Sequence, residues 1–239
     1  MGLEQTLLAK GVAVRPSCMS RLLVAAFFVS FAGVAALAQT SVPPNQVSSF
    51  KDTSIFKPPV GSKVAILEFE DLECPACAHA FPIVHTAINQ YHIPLVRRDF
   101  PLKMHIWSHD AAVIARYIQD KISPDLAMEY RREVFASQYQ ISSKDDLHNF
   151  TQKFFTANHQ QMPFVIDPTG QFTREVDADE MLGEKVGLQE TPTIIVVTNK
   201  GWIQVKDVSQ LYSAIDQAEA AVGGSAAAPT HHTVASAKH

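Results

Sequence analysis

The chain has 239 residues, 46% of them apolar and 18% charged, with a formal net charge of −4. That length accommodates one or two domains with a real core, and the acidic balance excludes a nucleic-acid binder that depends on a basic face. Three cysteines are too few for a disulfide-dense scaffold, so the informative features are local.

Leu22 to Leu37 is an uncharged, largely apolar run of 16 residues, preceded by Arg15 and Arg21 and closed by Ala36-Leu37-Ala38. The run falls short of the about 20 residues a membrane span needs, and its small-x-small ending is one that signal peptidase accepts. Residues 1–38 therefore read as a signal peptide cleaved before Gln39, with an uncleaved N-terminal anchor as the competing reading. Either one makes the remainder periplasmic or secreted. Cys18 precedes the apolar run, which argues against a lipoprotein, and Met19 offers an alternative start that would remove Cys18 altogether. Cleavage takes away Lys10, Arg15, Arg21 and Glu4, leaving 17 basic against 23 acidic residues and a charge of −6. The cysteines that remain are Cys74 and Cys77.

Residues 39–62 are polar and proline-containing and read as a leader with room for a short edge strand. Val64 to Phe69 is a compact apolar run with one acid, the pattern of a buried strand. A helix follows from Pro75, with Cys77, Phe81, Val84, Ile88 and Tyr91 stacked on one face at spacings of 4, 3, 4 and 3. Pro82 lies inside it and is expected to kink it. Ile93 to Phe100 returns as a second strand, completing a parallel strand-helix-strand unit.

Helices then dominate. Ser108 is placed to cap one through Ile118, and Ser123-Pro124-Asp125 to start another reaching Phe135. Ser142 with Asp145 resembles a capping box ahead of Leu147, Phe150 and Phe154. Asp167-Pro168-Thr169-Gly170 marks a turn before a short helix to Leu182. Tyr130, Phe135 and Tyr139 read as core; Trp107, His105 and His109 read as core packing or a groove edge. Thr193 to Val197 is β-branched almost throughout, Asn199-Lys200-Gly201 turns the chain, and Trp202 to Val205 returns as a hairpin strand. Val208 to Val222 is a last amphipathic helix. From Gly223 the tail is small and polar, with His231, His232 and His239 as solvated residues.

The chemistry centres on Cys74-Pro75-Ala76-Cys77, between a buried strand and the first turn of a helix. Unpaired backbone N–H groups and the positive end of the helix dipole favour a thiolate at Cys74. Cys77, one turn further in, is the shielded partner, and an exposed acidic thiol beside a shielded one is what thiol–disulfide exchange requires. A zinc site lacks a second cysteine pair, and covalent haem needs a histidine where Ala78 stands. A structural disulfide remains open, although so small a loop contributes little in the chain-entropy model. Thr191-Pro192 stands just before the β-branched strand, where a residue without a donor belongs.

With this cysteine pair and the Thr191-Pro192 loop, residues 60 to 222 resemble the DsbA-like group of the thioredoxin-fold superfamily. The resemblance implies an α/β thioredoxin-like fold with an inserted helical domain: residues 63–107 and 183–222 as the two halves of the thioredoxin unit, 108–182 as the insertion, and 223–239 as a disordered tail. It makes Pro192 a cis-proline facing the redox pair and Thr191 the residue that offers its backbone to a substrate chain. It also sets Glu68 at the group's buried acid, six residues before Cys74, where a raised pKa suits a proton acceptor for Cys77.

Pro75 and Ala76 would tune the redox pair. Ala76 stands where DsbA has a thiolate-stabilising histidine, Thr191 replaces a valine, and Glu73 adds a negative charge; all bear on the direction of electron flow. The resemblance implies disulfide formation in exported polypeptides, without metal or organic cofactor, and a membrane quinone-linked partner to restore the disulfide. A periplasmic reductase or isomerase is the alternative, but residues 39–62 are too short for the separate domain through which such isomerases dimerise, so a monomer is expected. A non-catalytic folding or binding module that keeps a structural disulfide is the alternative from another class.

Overall fold

The structure is a computed structural model that describes residues 49–223. The expected signal peptide, Cys18, the first part of the expected leader and the tail beyond Gly223 lie outside the described residues. Strands β1 (Val64–Glu70), β2 (Leu95–Asp99), β3 (Thr193–Thr198) and β4 (Trp202–Val205) form one sheet in the order β2-β1-β3-β4. β2 runs parallel to β1, joined through helix α1 (Pro75–Tyr91), whereas β3 is antiparallel to both β1 and β4. Four helices fall between β2 and β3: α2 (Ser108–Lys121), α3 (Pro124–Ser137), α4 (Lys144–Ala157) and α5 (Gln171–Val186). Helix α6 (Leu211–Val222) closes the described chain, preceded by a 3-10 turn at Val208–Gln210.

The alternation of β1 and β3 sorts their side chains onto two apolar faces. Val64, Ile66, Ile194 and Val196 pack against Ala80, Val84 and Ala87 of α1 and Leu211, Ile215 and Ala218 of α6. On the other face Ala65, Leu67, Phe69, Ile195 and Val197 meet Phe56, Phe100, Val186 and Leu188. A further core joins α2, α3 and α4 through Trp107, Ile118, Tyr130, Leu147 and Phe155, and it contains Cys74, Cys77 and Phe81. Cys74 and Cys77 thus lie where the sheet's helix meets the helical segment.

Charges span the same junction. Arg131 of α3 is buried and donates to Glu70 of β1 at 2.7 Å and to Asp99 of β2 at 2.7 and 3.2 Å. Arg116 of α2 bonds Asp99 at 2.6 Å and Asp179 of α5 at 2.5 Å, while Arg98 bonds Asp179 at 2.8 Å. Burial alone would raise the Asp99 carboxyl, yet Arg131 and Arg116 hold it down at about 2.

Several local expectations shift. Ser108 is the first helical residue of α2, and no side chain of its own N-cap residue, Trp107, caps the helix. Ser143, one residue later than the sequence suggests, caps α4 by accepting from the Asp146 N–H at 3.1 Å; both serines have an acid three residues on, and the buried Leu147, Thr151, Phe154 and Phe155 set the register. Helix α5 continues past Leu182 to Val186, because Gly183 packs against the Phe100 ring and the left-handed residue that ends the helix is Gly187. Helix α1 runs through Pro82 to Tyr91, and its buried stripe uses Ala80 and Ala87, with Ile88 and Tyr91 only partly covered. Tyr139 is 96% exposed on the 3-10 turn after α3 and is no part of the core. Residues 49–62 form no strand; Phe50 and Phe56 pack edge-on against Trp202 instead.

Candidate functional site

The site is built where β1 passes into α1. Cys74 is the N-cap of α1, with Pro75 in its first turn, where a missing N–H costs no helical bond. Pro75 and Ala76 are exposed, while both cysteines are unbridged and buried, Cys74 at 7% and Cys77 at 1%. Cys74 is the more accessible of the two but less open than the helix-start position suggests. The Thr191–Pro192 loop, delivered to this point by β3, lies over it. The Thr191–Pro192 peptide is cis, and the Cys74 thiol donates to the Thr191 carbonyl oxygen at 3.3 Å.

The two thiols differ sharply. A hydrogen bond from Cys77 is the largest influence on Cys74; against the cost of burial, Thr191 and the N–H groups of Cys77 and Ala76 help bring its pKa to about 5. The Thr191 hydroxyl is buried without a hydrogen-bond partner, a donor free to turn to the sulfur when it carries charge. Burial pushes the Cys77 thiol well above its usual value, and the hydrogen bond to Cys74, the Cys74 charge and the Glu70 charge add to this. Ala76 therefore supports the thiolate through its backbone, although its side chain offers nothing.

Glu68 is buried on β1, and burial together with the charge of Glu70 raises its pKa to about 8, with Arg97 and Arg131 pulling the other way. The acid whose charge reaches Cys77 is Glu70, two residues along and itself paired with Arg131 at 2.7 Å and Arg97 at 2.9 Å.

The loop ahead of Cys74 carries Asp71, which the sequence reading leaves unassigned. The backbone N–H of Asp71 donates to Cys77 Sγ at 3.4 Å, and its buried carboxylate takes four donors. These are Glu73 N–H at 2.8 Å, Leu102 N–H at 2.7 Å, His105 Nδ1 at 2.6 Å and the Ser108 hydroxyl. Glu73 turns away from Cys74 and accepts from the N–H groups of Trp107 and Ser108 at 2.8 and 3.1 Å, so it caps α2. Gln138 donates to the carbonyls of Leu72 and Cys74 at 2.9 and 3.1 Å. Trp107 is core, its indole N–H on the Ile141 carbonyl at 3.0 Å, and His109 meets Asp177 at 2.9 Å. Three acids in the five residues before Cys74 were the available signal; which groups they face depends on the helices that follow. Among the described residues no cluster of three or more His, Cys, Asp or Glu is placed to hold a metal ion.

A sheet whose first strand runs into a Cys-x-x-Cys helix start faced by the Thr191–Pro192 loop defines a thioredoxin-fold protein with a paired-thiol site. The thioredoxin family model matches residues 60–217, well over half of the chain, and the chain belongs to that family. No curated protein sequence matches it. Among solved structures, oxidised BdbD from Bacillus subtilis is similar with a TM-score of 0.57 at 18% identity, covering 74% of this chain and 98% of that one. Wolbachia pipientis α-DsbA1 gives 0.53 at 15% identity over 74% and 94% of the two chains. Proteus mirabilis ScsC in a transitional conformation gives 0.53 at 16% identity over 69% and 71%. At these identities the likeness is one of fold.

Proposed function

We propose that the chain is a protein thiol:disulfide oxidoreductase that works on exported polypeptides, chiefly by forming disulfides in them. The observation that carries this reading is the divided pair: an acidic thiol at Cys74 beside a thiol at Cys77 held protonated. A stabilised Cys74 thiolate is a good leaving group and favours the reduced form of the pair, which makes the disulfide an oxidant.

In the oxidised protein a substrate thiolate attacks Cys74 Sγ, the Cys74–Cys77 bond breaks, and Cys77 leaves with the electron pair and takes a proton. The second substrate thiolate then attacks the substrate sulfur of the mixed disulfide and expels Cys74 as a thiolate. Two electrons pass from the substrate dithiol to the protein, and a membrane quinone-linked partner would remove them. Glu68, protonated near neutral pH, is assigned the proton that Cys77 takes up on leaving and accepts it back in the reverse step; the acid whose charge reaches Cys77 is Glu70. Thr191 presents its backbone to the substrate chain, Pro192 shapes that loop, and Pro75 and Ala76 set the helix start. Exposed Met104 and Ile106, on the loop that His105 anchors to Asp71, add an apolar flank suited to unfolded chains.

The exported location rests on residues 1–38 read as a signal peptide; no helix among the described residues is long and apolar enough to cross a membrane. We assign residues 108–182 to an inserted helical domain, with 63–107 and 183–222 as the thioredoxin unit around it. Incubating the oxidised protein with a reduced, disulfide-containing model protein tests the reading. Catalysed recovery of the native disulfides that disappears in Cys74→Ser supports it, and recovery no faster than with glutathione disulfide alone contradicts it.

A further inference from the structure

The reading as an exchange enzyme leaves open what holds the buried thiol in register while Cys74 is bonded to substrate. From the contacts around the redox loop we infer that Asp71 is the positioning residue for Cys77, its carboxylate fixing the loop so that its own N–H stays aimed at Cys77 Sγ. This inference rests on the exchange reading and adds to it a residue that acts through another.

Helix α1 fixes Cys77 from one side, and the donor from the other side is Asp71 N–H at 3.4 Å. Cys74 N–H in turn donates to the Asp71 carbonyl at 3.1 Å, so both polar groups of this one peptide segment face the redox pair. A loop of this kind has no helix or strand to define its dihedrals. Gln138 holds the Leu72 and Cys74 carbonyls further along; at Asp71 the geometry is held by the side chain, whose Oδ1 accepts from Glu73 N–H and the Ser108 hydroxyl and whose Oδ2 accepts from Leu102 N–H and His105 Nδ1. Two of these donors are backbone amides that cannot reverse their role.

The arrangement is specific to a carboxylate. In asparagine one oxygen becomes an NH2 group; whichever way the amide is turned, a backbone N–H then faces a donor. The side chain would have to swing out, and the N–H aimed at sulfur would move with it. Hydrogen bonds to sulfur matter most when it carries negative charge, so the effect falls on the step in which Cys77 becomes a thiolate to expel a bound sulfur from Cys74. The first attack by Cys74 draws on the Cys77 thiol and the Cys77 and Ala76 N–H groups, none of them Asp71's own, so it is affected less than the second step.

Rapid-quench measurement of the reduced full chain with glutathione disulfide separates the two steps, because the Cys74–glutathione mixed disulfide can be counted as it forms and decays. Asp71→Asn is expected to slow decay about tenfold, the effect of losing one charge-assisted hydrogen bond, and to leave formation within about twofold. Ser108→Ala, which removes one of four donors, should slow decay by about two- to threefold and guards against an Asp71→Asn chain that does not fold. Unchanged decay in folded Asp71→Asn, or in Ser108→Ala if the former does not fold, overturns the positioning role alone. A wild-type chain that forms no mixed disulfide at Cys74 overturns the exchange reading and the role of Asp71 with it.

Discussion

The Sγ of Cys74 lies 3.3 Å from the carbonyl oxygen of Thr191, a residue 117 positions further along the chain. The thiol form is satisfied by that carbonyl. The thiolate form turns instead to the Cys77 thiol and the Ala76 and Cys77 N–H groups, and to the Thr191 hydroxyl, which is otherwise without a partner. Loss of the proton therefore favours these donors over the Thr191 carbonyl.

Thr191→Val tests the hydroxyl alone, since valine keeps the shape and leaves the carbonyl in place. The Cys74 titration should move upward from about 5 by up to about one unit, the worth of one hydrogen bond. The pH dependence of alkylation at Cys74 reads this directly. The same depressed pKa makes reduced-state stability pH-dependent. The contribution is complete above the unfolded thiol's value, near 9, and is lost as pH falls through about 5. Urea titrations of wild type and Cys74→Ser in the reduced state should converge toward acid pH.

Replacing Arg131 by methionine leaves Glu70 and Asp99 buried beside an apolar chain, since Arg131 meets both at 2.7 Å. Breaking a buried pair from one side costs about 3–5 kcal/mol. A urea midpoint that falls correspondingly, with an unchanged slope, is the expected outcome.

The Asp99 carboxyl, held at about 2 by Arg131 and Arg116 against the cost of burial, gives stability that is present above the unfolded value near 3.8. That stability is lost as pH falls through about 2, so acid unfolding should sharpen below pH 4. Asp99→Asn should flatten this limb of the curve while lowering stability at neutral pH.

Glu68 acts in the opposite sense. Its carboxyl is raised by burial and by Glu70 from 4.5 to about 8, so the folded state holds the proton more tightly and stability declines as pH rises between those values. Glu68→Gln should remove that decline, a slope of at most about 1.4 kcal/mol per pH unit. It should also slow proton delivery to Cys77 in stopped-flow exchange.

A methyl group at Gly183 would sit 2.4 Å from the Phe100 ring. Gly183→Ala should therefore destabilise by about 1–3 kcal/mol in spite of alanine's better helix propensity, and the thermal midpoint reports it.

Most of the framework is legible in the chain because it rests on local chemistry. The β-branched run at Thr193 and the turn at Asn199-Lys200-Gly201 give β3 and β4 within a residue, and Ser123-Pro124 marks the start of α3. The Cys74–Cys77 pair is recognisable from type and spacing, whereas Thr191-Pro192 reads from residue type only as a strand start and owes its place opposite the pair to the family resemblance. Arg131 is different. It lies between Ala127, Tyr130, Val134 and Phe135 on the buried stripe of α3, but only the fold brings Glu70 and Asp99 to meet it. Glu73 illustrates the same limit: beside Cys74 in sequence it opposes a thiolate, yet its carboxylate is committed to the start of α2. Tyr139 keeps the helical spacing of core residues, but α3 ends at Ser137 and the tighter turn swings it into solvent.

The equilibrium of the Cys74–Cys77 pair with glutathione, with free thiols counted by alkylation, tests the central claim most directly. A stabilised Cys74 thiolate predicts an oxidising pair, with a potential well above thioredoxin's about −270 mV and toward DsbA's about −120 mV. A potential at or below about −270 mV, or a bridge that excess reductant does not open, would contradict it.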